Sequence, residues 1–285
     1  MKLSQTRIAI VLAILVSTTA GCGVINRIRA KNQLNEAARA YREGKFDEAE
    51  QHSREAAALD PSNKTAPMFI ARTIHAQYRP GVQSPENIAK AQKAIDAYQS
   101  ILAQNPKDDE AYKAIAYLYG AIKEDDKLRQ WITSRATSDA TEPQKRAEAY
   151  IVLASKDWDC SFKITELPTN KGTTVDPTNN KATVSYKKPK EQKDFEGAQM
   201  CVKQGLAEAE NAIKFDPNNE SAWSYKTNLL LEASKLAEMD GKTDIKADYQ
   251  KQYEAALKRT TELSAAAQKR KEEEEARHAA SPPKG

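Results

Sequence analysis

One stretch of the chain, residues 40–63, limits the possible folds more than any other. It contains two short helical patterns, separated by a turn at Gly44 and ended by Asp60-Pro61. One face of the second pattern carries an aromatic and two small side chains, namely Phe46, Ala49 and Ala56. Because small residues at helical spacing let two helices approach closely, this stretch predicts an antiparallel helix pair.

The stop signal Asp60-Pro61 recurs as Asn105-Pro106 and as Asp216-Pro217, and apolar residues recur with helical periodicity between these points. Ser84 and Pro85 provide a helix start, with serine as N-cap and proline at the first position. Glycine is scarce and aromatic residues are few, which argues against a β-sandwich. The predicted helices cover residues 24–43, 46–59, 64–78, 88–104, 142–156, 194–215, 221–239 and 244–276, with a further pair inside 111–136. Thr141 is the predicted N-cap of the helix that ends near residue 156.

Residues 157–193 interrupt the helical pattern and are predicted to be non-helical. Two β-prone segments, residues 173–175 and 182–186, flank a turn sequence at residues 176–180. We expect a small hairpin or an ordered loop here.

The repeated unit resembles the tetratricopeptide repeat (TPR), a helix–turn–helix unit with a period of about 34 residues. Residues 33 and 36 are glutamine and glutamate, where the family often carries large residues. The resemblance implies an all-α fold, a TPR-like α-solenoid of antiparallel helix pairs over residues 30–263, with one non-helical insertion and a long C-terminal helix. Residues 264–285 are expected to be a polar helical extension and a disordered tail. The matching residues of the first unit are Gly44, Phe46, Ala49, Ala56, Asp60 and Pro61.

The N-terminal residues 1–21 have the three zones of a secretory signal peptide: two basic residues, an apolar run at 8–16, and a small-residue end. Thr19-Ala20-Gly21-Cys22 resembles a bacterial lipobox, which implies that Cys22 is lipidated and that residues 22–29 form a tether. The alternative is an ordinary signal peptide with a chance cysteine. By the same resemblance, Gly23 favours the outer membrane, facing the periplasm.

Removal of Lys2 and Arg7 with the signal peptide lowers the formal charge of +4 to about +2. A charge this small and scattered does not favour nucleic-acid binding. In an oxidising compartment, Cys160 and Cys201 can form a disulfide, since antiparallel helices bring the two positions close together. The alternative is two reduced, buried thiols.

The search for catalytic residues finds no candidate. His52, His75 and His278 lie on separate elements without metal-ligand spacing, and there is no glycine-rich phosphate loop. We therefore expect no catalytic residue, metal, cofactor or small-molecule substrate.

The remaining functional surface is the concave face of the helix pairs. Mixed aromatic and basic character suits an extended peptide with acidic groups or a free carboxylate. The alternative is a merely solvated face. Leu34 and Ala38 stand where chaperone-binding TPRs carry their carboxylate clamp, so that class does not fit. By resemblance to peptide-binding TPRs, the groove is lined by Lys31, Leu34, Tyr41, Arg42, Met68, Arg72, His75, Lys113 and Tyr117.

The insertion from Trp158 onward is a second candidate contact, or neutral decoration. The function that the sequence favours is a non-catalytic, membrane-anchored scaffold that recruits protein or peptide partners for envelope assembly, such as outer-membrane protein insertion, pilus or secretion machinery. Two alternatives stay open: an adaptor for peptidoglycan or polysaccharide enzymes, and an enzyme with an unrecognised site at Trp158 or Asp159.

Overall fold

The structure is a computed structural model that describes the backbone of residues 3–175, 178, 180 and 182–280, and the side chains of those among residues 23–277. The described residues form an all-α, TPR-like fold with one two-stranded sheet, and the chain divides into two compact units, Met1–Leu128 and Arg129–Gly285. The helices and strands are α1 (Leu3–Arg42), α2 (Phe46–Leu59), α3 (Thr65–Ala76), α4 (Pro85–Gln104), α5 (Asp109–Ala121), α6 (Asp125–Thr137), α7 (Pro143–Thr165), β1 (Lys171–Val175), β2 (Ala182–Tyr186), α8 (Gln192–Phe215), α9 (Glu220–Met239) and α10 (Thr243–Ala280).

The first unit is a succession of antiparallel helices in which each packs on the next, from α1 to α5. Small residues lie where the helices approach: Ala30, Ala56 and Ala66 are fully buried in one cluster. The turn between α1 and α2 needs a positive φ, which Gly44 adopts at 74° without the steric cost that a side chain brings. The packing predicted for α2 is confirmed, since Ala49 and Ala56 are both fully buried.

The three repeated stop signals have the same backbone geometry. The C-cap residues Asp60, Asn105 and Asp216 have φ of −135°, −134° and −142°, with ψ of 86°, 85° and 86°. Each cap donates its amide hydrogen bond to the carbonyl four residues earlier. The proline that follows disfavours the helical conformation at the residue before it, so the sequence itself ends these helices.

The second unit packs α7, α8 and α9 against each other and α10 against α9. Its larger core cluster joins α8 to α9. Gly205 on α8 allows a close approach, because a Cβ placed there meets Leu229 Cδ2 at 2.7 Å and Asp157 Cβ at 2.9 Å. The buried members of that core cluster are Phe195, Ala198, Val202, Ala233, Leu236 and Met239.

The predicted start of the insertion at residue 157 is wrong, because α7 continues to Thr165. The reason is tertiary packing: Leu153, Asp157, Ser161 and Thr165 recur every four residues and are all buried, so one face of the helix stays covered. The non-helical segment is therefore residues 166–191.

The hairpin within this segment is confirmed. Strands β1 and β2 pair antiparallel, with Thr173 opposite Val184. The predicted turn at residues 176–180 lies mostly outside the described residues.

The N-terminal expectations need two corrections. The first helix begins at Leu3 and not at residue 24, so the backbone of the expected tether, residues 22–29, is helical. No proline interrupts residues 3–29, and proline is the strongest helix breaker. The side chain of Cys22 lies outside the described residues. Among residues 23–277, whose side chains the structure describes, no helix is long and apolar enough to cross a membrane.

The start of α7 and the end of α10 differ slightly from the predicted boundaries. The residue that caps α7 is Glu142, with Pro143 at the first helical position. At the C-terminus α10 reaches Ala280, and its polar end carries spaced ion pairs such as Lys271–Glu275 at 4.0 Å. The limits of the repeat region at 30 and 263 stay predictions.

Candidate functional site

Helices α1, α3 and α5 are the first members of successive pairs, and they carry the predicted groove residues. Side chains from neighbouring helices meet along this face. The ring of Tyr41 on α1 contacts Phe69 on α3 edge-on, with centroids 5.9 Å apart. The next contacts, from α3 to α5, involve Arg72 and His75. We call Tyr41, Arg72, His75, Lys113 and Tyr117 the groove face.

Arg72 on α3 makes a two-pronged ion pair with Glu110 on α5. Its Nε and Nη2 each donate to one carboxylate oxygen at 2.5 Å. The hydrogen bond from Arg72 holds the pKa of Glu110 below its usual value. Both side chains remain about half exposed, at 47% and 48%. This pair is therefore accessible to a ligand that offers another carboxylate or another guanidinium.

Lys113 is also paired, with Asp109 one helical turn earlier at 2.7 Å. Both cations of the groove face thus have a carboxylate partner, so local charge is nearly balanced. This balance differs from the basic surface that the sequence suggested.

His75 lies between two tyrosines. Its ring meets that of Tyr98 at 89° with centroids 5.9 Å apart, and that of Tyr117 at 5.7 Å. Nδ1 is 3.3 Å from the Tyr98 hydroxyl. Burial lowers the pKa of His75 and raises the pKa of Tyr98 to about 12. At neutral pH this cluster is uncharged and aromatic.

His75 and Tyr98 border an open depression of about 590 Å³ in the first unit. Tyr117, whose ring contacts that of His75, is 51% exposed. Exposed rings next to hydrogen-bonding groups are typical of surfaces that bind peptides and proteins. The described residues hold no group of three or more His, Cys, Asp or Glu side chains arranged for a metal ion. The lining residues are His75, Tyr98, Asp109, Glu110, Lys113 and Ala114.

The nine predicted groove residues do not all come together. Of the nine, His75 and Lys113 line the depression and the other seven do not. Lys31 and Arg42 are exposed on α1, and Met68 is half-buried on α3. Leu34 packs against the buried alanine cluster of the first helix pair, which makes it a core residue.

Sequence reasoning missed Tyr98 and Glu110. The spacing of Asp109 and Lys113 could have indicated their pairing. The partner of Arg72 is on another helix, so no local signal identifies it.

In the second unit the most unusual feature is a buried ionic network on α9. Glu232 accepts hydrogen bonds from Ser161 at 2.9 Å and Thr165 at 2.7 Å, and Lys235 donates to it at 2.6 Å. Lys235 also reaches Glu166 at 2.7 Å. Every oxygen of Glu232 has a partner, so the network is a structural element of the core.

Glu166 links this network to the hairpin. Burial alone raises its pKa, but hydrogen bonds from Lys171 and Lys235 outweigh burial and lower the pKa to about 2. Tyr186 of β2 donates its hydroxyl to Glu166 at 3.1 Å and its amide to Glu238 at 2.9 Å. The hairpin is thereby attached to α9 through polar contacts.

Trp158 and Cys160, which were predicted to lie in the insertion, both lie on α7. Trp158 packs against Phe162 and Tyr225, with ring centroids 4.9 and 6.3 Å away. The structure joins Cys160 to Cys201 of α8 in a disulfide, with Cα atoms 6.2 Å apart. The sequence suggested that Cys160 lies at the start of a loop, but in the structure it lies inside α7.

A second depression of about 310 Å³ lies among α8, α9 and α10 of the second unit. Its walls are both apolar and polar, with Val202, Leu236 and Asp240 among them, and it was not predicted from the sequence.

No protein-family profile matches the chain, and no curated protein matches it either. Several solved structures match most of the chain at low identity. MamA from Desulfovibrio magneticus RS-1 is 13% identical, with 84% of this chain and 96% of that chain covered and a TM-score of 0.40. PilF of Pseudomonas aeruginosa is 13% identical, with coverage of 85% and 99% and a TM-score of 0.36.

YrrB, described as a TPR protein with an unusual peptide-binding site, is 11% identical, with coverage of 79% and 88% and a TM-score of 0.35. Identities and scores this low say nothing about shared partners.

Proposed function

We propose that this protein is a non-catalytic scaffold of the cell envelope, held at a membrane by lipidated Cys22, that recruits partner proteins for envelope assembly. The observation that carries the proposal is the groove face, on which the first helices of three successive pairs in the first unit present aromatic and paired charged side chains to solvent. A helix-pair fold needs its alanine-lined interfaces to be buried, but it does not need Tyr117 exposed on this surface.

The chemistry of the groove face favours a particular kind of peptide. Because Glu110 and Asp109 pair with Arg72 and Lys113, a partner with only acidic groups has to displace a carboxylate at each cation. An extended peptide with an aromatic or aliphatic side chain can instead pack on Tyr117 and His75. One carboxylate or one cation of such a peptide can exchange into the Arg72–Glu110 pair.

The groove face is tested by affinity purification of the tagged full-length chain from envelope membranes of the native host. Tyr117→Ala removes an exposed ring and should lower partner recovery about thirtyfold, the loss typical of an aromatic hot spot. Met200→Ala is the matched control, because Met200 is even more exposed but lies on α8 of the second unit. Equal recovery with both variants, or loss with both, contradicts the assignment to the groove face.

The anchor is supported by the sequence around Cys22 alone and needs its own test. We expect metabolic palmitate labelling of the wild type in an outer-membrane fraction, facing the periplasm, and no label in Cys22→Ala. If the wild-type protein is soluble and carries no label, the proposed lipid anchor is wrong. That result does not bear on binding at the groove face.

A further inference from the structure

The first helix has two apolar faces, and only one of them is used by the fold. Ala30 and Ala37 are fully buried against the first helix pair. Val24, Ile25 and Ile28, in contrast, are exposed by 58%, 57% and 57%. At about 100° per residue, Ala30 and Ala37 lie about 160° and 180° around the helix from Ile28. The three aliphatic side chains therefore lie on the side of α1 that faces away from the core.

Cationic residues border this outer face. Arg29 lies about 40° from Ile25 on one side, and Lys31 and Arg27 lie about 60° and 100° from Ile28 on the other. All three are exposed. Between residues 23 and 35 the sequence has these three cations and no acidic residue. A helix with an aliphatic face between cationic flanks has the pattern of an interfacial helix on an anionic membrane.

We propose that Val24, Ile25 and Ile28, flanked by Arg27, Arg29 and Lys31, form a docking surface for an anionic lipid bilayer. The aliphatic side chains enter the boundary between headgroups and acyl chains, and the cations contact phosphate groups. The three cations complement the negative surface of the bilayer, which favours a membrane over a neutral protein groove as the occupant. This contact lies next to the proposed lipidation residue, but it does not require acylation.

The test uses the full-length chain with Cys22→Ala, so that no acyl chain contributes to binding. Flotation with vesicles of phosphatidylethanolamine and phosphatidylglycerol measures the bound fraction at low and high ionic strength, and phosphatidylethanolamine vesicles alone provide the neutral reference. Every chain in the comparison keeps residues 1–21. Any difference between the parent and a variant therefore comes from the changed side chains.

Ile25→Ser with Ile28→Ser should lower the partition coefficient about tenfold or more on anionic vesicles, because two aliphatic side chains lose their apolar contact. Arg27→Gln with Arg29→Gln should lower it about thirtyfold at low ionic strength and have little effect on neutral vesicles. Asn32→Ser is the control, since Asn32 is exposed on the same side of α1 and should leave partitioning unchanged.

All of these residues are exposed, so thermal melting should show that each variant keeps the parent fold. If both double variants have the same partition coefficient as the parent, the proposal is wrong. If binding does not change with ionic strength or with the arginine substitutions, the proposed preference for an anionic bilayer is wrong. The palmitate experiment is independent, since it reports on Cys22 in the wild type and not on this surface.

Discussion

Two ion pairs, one in each unit, show how the same chemistry serves different purposes. Arg72 and Glu110 in the first unit are 47% and 48% exposed, whereas Lys235 and Glu232 in the second are 6% and 1% exposed. An exposed pair contributes little to stability and can exchange with a ligand. A buried pair is expensive to break, because each remaining charge or hydroxyl loses its partner away from water. The comparison indicates that this ion pair of the first unit stays accessible to solvent, whereas the pair of the second unit is part of the core.

The largest expected effect is the loss of Glu232. In Glu232→Ala the buried Lys235 keeps one carboxylate partner, Glu166, and the Ser161 hydroxyl loses its acceptor. The Thr165 hydroxyl keeps only a long bond to the Phe162 carbonyl at 3.5 Å. We expect the free energy of unfolding, measured by urea denaturation, to fall by about 3–5 kcal/mol. The matched variant Glu110→Ala should lower it by less than about 1 kcal/mol. Similar losses in both variants contradict the difference drawn between the units.

The disulfide should stabilise the second unit alone. Reduction opens a loop with a sequence separation of 41 residues between Cys160 and Cys201. The chain-entropy estimate for such a loop is about 4 kcal/mol. Hydrogen exchange with and without reductant should show faster exchange in α7 and α8 and unchanged exchange in α2 and α4. Cys160→Ser should melt equally with and without reductant; unequal melting of this variant points to another reducible bond.

Backbone packing distinguishes two glycines on α8. Gly205→Ala places a methyl group against Leu229 and Asp157 and should cost about 1–3 kcal/mol through overpacking. Gly197→Ala meets no atom within 4 Å. It should stabilise the same helix by about 0.5–1 kcal/mol through the lower backbone entropy of the unfolded chain. Thermal melting of the two variants measures both changes in stability. If both variants are stabilised or both are destabilised, the packing described at Gly205 is contradicted.

The last expected effect is a loss of stability in acid. The folded-state pKa of Glu166 is about 2, below its usual value. The stability that this carboxylate contributes is therefore complete above about pH 4.5 and is lost as the pH falls towards 2. Glu166→Gln should flatten the fall in unfolding free energy over that window. If the unfolding free energies of the wild type and of Glu166→Gln fall equally steeply with pH, the contacts of Glu166 do not lower its pKa as described.

The elements that the sequence predicted well are the ones determined by local chemistry. Asp60-Pro61 and its two repeats end their helices, and Ser84 begins α4, because caps and prolines act within a few residues. The extension of α7 was missed because its covered face comes from tertiary packing. Glu232 and Lys235 are spaced like a solvated surface pair, so nothing in the sequence distinguishes them from one.

The groove face was predictable only in part for the same reason. Position on the first helix of each pair predicted that His75 and Tyr117 share one face, and their rings are 5.7 Å apart. The carboxylate that neutralises Arg72 comes from another helix, and so does the Tyr98 ring that contacts His75. Contacts between helices depend on their packing, which a single sequence does not display.

The most direct test of the central claim is site-specific photo-cross-linking in the native host. A photoreactive phenylalanine analogue replaces either Tyr117 on the groove face or Val184 on the hairpin of the second unit, both of which are exposed. We expect a discrete cross-linked partner from position 117 and none from position 184. Cross-links from position 184 alone, or none from either position in cells that carry the protein at native levels, contradict the assignment of partner binding to the first unit.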